Sequence, residues 1–80
     1  MSQTHRVLVL SDQDYDDLIA ECYVDDDCIM VVSQERGPNV LDVEISLPLH
    51  PDGRPRRIEY DVVIELLERA KQRLWELRRV

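Results

Sequence analysis

Two periods divide this chain. Up to Leu47 the apolar positions tend to recur at every second residue, as along a strand with one buried face. Beyond Tyr60 they recur every third or fourth residue, as along one side of a helix. Arg6–Leu10 (R-V-L-V-L) is β-rich and nearly all apolar, which predicts a short strand open to burial on both faces. A second strand runs from Asp17 or Leu18 to Val24. It sets Leu18, Ala20, Cys22 and Val24 on one face and Ile19, Glu21 and Tyr23 on the other. A third spans Cys28–Gln34, and E-R-G-P-N (35–39) makes the next turn. Val40–Leu47 alternates cleanly, with Leu41, Val43, Ile45 and Leu47 inward and Asp42, Glu44 and Ser46 outward.

Three prolines and a glycine in P-L-H-P-D-G-R-P break the pattern, so residues 48–57 form a loop. The helix then runs from about Tyr60 to Arg79, with Val63, Leu66, Leu67, Ala70, Leu74 and Leu77 as its apolar stripe. Glu59, Asp61 and Glu65 at its start, and Lys71, Arg73, Arg78 and Arg79 toward its end, suit the helix dipole. Glu65 and Arg69 have the spacing of an i, i+4 ion pair. Ile64 and Trp75 fall near each other, off the centre of the stripe, and are candidates for self-association. The expected fold is α+β: an antiparallel meander of three to four strands with one C-terminal helix packed on one face. Residues 1–80 form one small domain, with 1–5 as a flexible terminus.

Composition changes the picture through charge. Of the net −7, residues 1–50 hold eleven acids against two arginines, and residues 51–80 eight bases against six acids. The acidic front half disfavours nucleic acid and anionic lipid and attracts a basic protein surface. No stretch approaches the roughly 20 apolar residues of a bilayer span. Val7–Leu10 is too short for the core of a secretory signal, so the expected location is cytoplasmic, with reduced cysteines.

The segment E-C-Y-V-D-D-D-C-I-M, residues 21–30, is where chemistry would first be sought. A two-residue turn at Asp25-Asp26 sets Val24 against Asp27 and Tyr23 against Cys28, which puts Cys22 and Cys28 on opposite faces. They then cannot bridge. Zinc would need shorter cysteine spacing and further ligands, and only His5 and His50 remain. Asp12, Asp14 and Asp16 begin like a calcium loop, but Asp17 stands where the turn glycine belongs and Tyr23 where the bidentate glutamate belongs. Gly37 and Gly53 make no phosphate loop, and no serine has a nucleophile-elbow context. No catalytic residue, metal ligand or cofactor is expected.

The stretch E-C-Y-V-D-D-D-C-I-M-V-V-S-Q-E, followed by the helix L-L-E-R-A-K-Q-R-L-W-E-L, resembles a type of small bacterial β-meander-plus-helix protein. In that type a tyrosine-bearing strand turns at Asp-Gly, returns through I-S-Q-E, and ends in a helix carrying A-K-x-R-L. The resemblance covers roughly residues 18–77 and departs at Asp26, where the turn glycine would stand. It implies the fold and carries no function.

The functional class expected is therefore a non-catalytic protein-interaction module, with a homodimer through Ile64 and Trp75 as one form. The alternative is an inhibitor of the immunity or antitoxin sort. It would meet a basic partner such as a nuclease through Asp12, Asp14, Asp16, Asp17, Asp25, Asp26 and Asp27.

Overall fold

The computed structural model describes residues 4–46 and 49–77. Four strands form one antiparallel sheet in chain order: β1 (His5–Leu10), β2 (Ile19–Val24), β3 (Asp27–Ser33) and β4 (Asp42–Ile45). A single helix, α1 (Tyr60–Leu77), packs against it. This is the expected α+β meander. Leu47, Arg78 and Arg79, expected at the ends of β4 and α1, lie outside the described residues.

The hairpin between β2 and β3 has the expected register, Val24 opposite Asp27 and Tyr23 opposite Cys28. Asp25 (φ +49°) and Asp26 (φ +76°) are both left-handed, as the primed two-residue turn that matches strand twist requires. Beyond the turn the register shifts. Cys28 faces Tyr23 but Met30 faces Cys22, so Ile29 is an extra residue in β3, a β-bulge. Ile29 and Met30 both join the core.

Ala20, Cys22 and Val24 line the inner face of β2 and are fully buried beneath Val62, Leu66, Ala70 and Leu74 of α1. Val62, absent from the expected stripe, is buried, whereas Leu77 is exposed. Glu59 opens the helix by accepting the Val63 N–H at 3.1 Å. Val7 and Val9 of β1 pack against the core, while Arg6 and Leu8 face outward. β1 is thus an edge strand covered on one face, not two, since Arg6 and Leu8 on its outer face are exposed.

Two other expectations meet a different structure. Thr4 and His5 are tied down: Thr4 N–H and Oγ1–H donate to Asp25 Oδ1 at 3.0 and 2.9 Å, and His5 Nε2 lies 2.9 Å from Glu65 Oε2. On β4, Val43 and Ile45 do share the helix-side face, opposite Val32 and Met30. Yet they are 43% and 68% exposed. The reason is width. A helix is about 10–12 Å across, and four strands spaced by about 4.8 Å are wider than that. α1 lies on β1 and β2, touches β3 and makes no contact with β4.

Candidate functional site

The uncovered half of the inner face forms an apolar groove beside β4. Met30 and Ile45 form its floor, Val63 of α1 its wall, and Ile58, Arg56 and Arg57 its end near the hairpin. Together with Ile29 these residues line a groove of about 490 Å³. At the other end of α1, Trp75 Nε1–H donates to the Pro38 carbonyl at 3.0 Å, tying the helix to the β3–β4 connection. That connection turns at Gly37, whose φ of +102° suits glycine and whose N–H bonds the Gln34 carbonyl at 3.0 Å.

The far side of β4 is the edge of the sheet. Ser46 N–H donates back to the Ile29 carbonyl at 2.8 Å. N–H direction alternates along an antiparallel strand. The Val43 and Ile45 N–H groups therefore point away from β3, toward the open edge. Apolar side chains and outward backbone donors thus meet on one short strand.

The outer face of β4 is acidic. The β1–β2 loop folds across the outer face of the sheet and brings Tyr15 O–H to Glu44 Oε1 at 2.8 Å. Ile19, on the same outward side of β2, is only 2% exposed. Tyr15 is pushed up to about 12, first by its hydrogen bond to Glu44, then by desolvation and by the nearby Glu44, Asp12 and Asp14 carboxylates. Asp42 is gripped through both oxygens by Arg36, with Nε at 2.9 Å from Oδ2, and this holds its carboxyl below the usual range.

The seven aspartates singled out in the sequence are split between opposite ends of the sheet. Asp12, Asp14, Asp16 and Asp17 lie in the β1–β2 loop. Much of their hydrogen bonding shapes that loop: Asp12 Oδ1 accepts the Asp14 N–H at 2.9 Å, Asp17 Oδ1 the Leu18 N–H at 2.8 Å, and Asp16 N–H donates to Glu35 Oε1 at 2.7 Å. Asp25, Asp26 and Asp27 lie at the hairpin end, about 20 Å away along a six-residue strand. There Arg56 pairs with Asp27, reaches Asp25 at 3.4 Å and donates to the Val24 carbonyl at 3.4 Å. Arg56 thus clamps the 49–57 loop onto the hairpin tip and pairs with two of its three carboxylates. No feature of R-P-R-R in the sequence signals that long-range pairing.

Ile64 and Trp75 are each 43% exposed on the outer flank of α1. Glu68 and Lys71 stand between them on the same side of the helix, and the Lys71 ammonium sits 4.9 Å from the Trp75 ring centre. Cys22 and Cys28 are both free thiols, on opposite faces as expected. Burial pushes the Cys22 thiol up to about 11; Cys28 is raised chiefly by desolvation and then by Glu21. No group of three or more metal-binding side chains occurs among the described residues. Among them no helix is long and apolar enough to cross a membrane.

Comparison with protein-family models, with curated proteins and with solved structures yields no match.

Proposed function

We propose that this chain is a non-catalytic protein-interaction module that binds its partner over β4 and the groove beside it. The observation that carries this reading is Ile45, 68% exposed on the face of the sheet that elsewhere forms the core. Burying a side chain of that size is worth about 1.5–3 kcal/mol, so a partner seated there gains directly. The groove, the outward N–H groups and the exposed Val43 lie in one place, which favours a single docking surface.

Ile45→Asp tests it. The substitution falls on a solvent-exposed site and should leave the circular dichroism spectrum and melting temperature nearly unchanged. It should abolish co-purification of the bound partner from the native lysate. Retention of the same partner by the variant would refute the reading. The self-association form predicts instead that Trp75→Glu lowers the sedimentation coefficient of the folded protein. The inhibitor alternative draws support from the gathering of Asp12, Asp14 and Glu44 around Tyr15; it predicts salt-sensitive capture of one basic protein.

A further inference from the structure

The structure further specifies the occupant of this surface, on the reading that β4 is the docking site. We infer that β4 accepts an extended peptide segment whose residues alternate between apolar and basic, added as a fifth strand. Side chains of a strand alternate faces, so a segment laid along β4 puts every second residue beside Val43 and Ile45. Those positions continue the apolar floor. The intervening residues fall on the outer face, beside Glu44 and toward the Asp12–Asp14 loop, while Asp42 is already held by Arg36. Opposite charges across such a pair are favourable, and like charges are not. The backbone of the segment would bond the outward N–H groups of Val43 and Ile45 and the carbonyls beside them.

A second copy of this chain fits the same edge badly. A two-fold antiparallel pairing of β4 with itself about Glu44 sets Glu44 against Glu44. A pairing about Val43 sets Glu44 against Asp42. Both place like charges opposite each other; a pairing about Ile45 sets Glu44 against Ser46 instead and is opposed only by the −7 that each molecule carries. A partner helix would fill the groove but leave the outward N–H groups of the edge without partners.

The test is selection from a random peptide display library on the folded protein at low salt, followed by amide-shift mapping of the enriched peptides. The expected peptides alternate apolar with lysine or arginine, and shift the Val43 and Ile45 amides most. Ile45→Asp should weaken the selected peptide about tenfold or more, as for a central anchor residue. Val43→Pro, which removes one outward N–H and leaves the β3 ladder intact, should weaken it similarly. Raising salt from about 0.05 to 0.5 M should weaken it severalfold. Enrichment of helical spacing, mapped to the same groove, would overturn the strand occupant and leave the docking surface standing. Enrichment mapped to Asp25–Asp27, or none at all, would overturn both. Self-association lost in Ile45→Asp would make a second copy the occupant and overturn the alternating segment.

Discussion

Asp26 holds φ at +76°, where a β-carbon crowds its own backbone. Glycine has no such carbon and is the preferred second residue of this turn. Asp26→Gly should therefore stabilise the protein by about 0.5–1 kcal/mol, read as a higher denaturant midpoint with unchanged slope. Asp25 is different, because its carboxylate accepts two hydrogen bonds from Thr4. Cys22 gives a prediction in pH. In the unfolded chain the thiol ionises near its ordinary value of 9.0, and in the fold it keeps its proton to about 11. Between these values the unfolded state releases a proton that the native state retains. Stability is whole below pH 9 and falls as pH rises toward 11. Urea melts at pH 8 and 10.5 should show a loss in the native protein about 1–2 kcal/mol larger than in Cys22→Ala.

At the scale of elements, what decides energy is which part of the sheet the helix covers. Leu66 of α1 is fully buried against the sheet, while Val43 lies on the helix-side face of β4, two strands away from the covered pair. Leu66→Ala should cost about 2–5 kcal/mol, and Val43→Ala under about 0.5 kcal/mol, both measured by chemical denaturation. The sequence makes the faces readable: C-Y-V-D-D-D-C sets the hairpin register, and Leu66, Ala70 and Leu74 set the buried stripe. It does not make the cover readable. Alternation in Val43 and Ile45 reports only that one face is apolar, and cannot tell whether a helix or a partner lies over it. The Arg56 clamp was hidden for a related reason, since nothing local links R-P-R-R to aspartates about thirty residues earlier. The bulge was hidden because C-I-M-V-V is apolar in either phase.

At the scale of the molecule, the negative charge has two poles with different neighbours. The hairpin pole is met by Arg56. The loop pole stands beside β4 through Tyr15 and Glu44. Exposed charges separated by about two Debye lengths act almost independently at physiological salt. Asp12→Asn with Asp14→Asn should therefore slow association with a partner bound on β4. Asp25→Lys with Asp26→Lys should slow it less, because Arg56, which lines the groove, already offsets charge at that end. Stopped-flow rates at two ionic strengths check the difference. An equal effect from both pairs would place the docking surface elsewhere.

The bulge at Ile29 also bears on how this chain tolerates changes in length. Losing one residue from an ordinary paired strand slips every later side chain to the wrong face. In β3 the slip has already been made once, between Cys28 and Met30. Removing Ile29 itself would close the ladder, keep Tyr23 opposite Cys28 and Cys22 opposite Met30, and sacrifice one buried side chain. Removing Val31 instead would also let the bulge close, with Ile29 in Met30's place opposite Cys22, Met30 turned outward opposite Glu21 and Val32 still opposite Ala20. A one-residue deletion in β3 is thus absorbed by the bulge, whereas the same loss in β2, which has no residue to spare, would slip every later side chain.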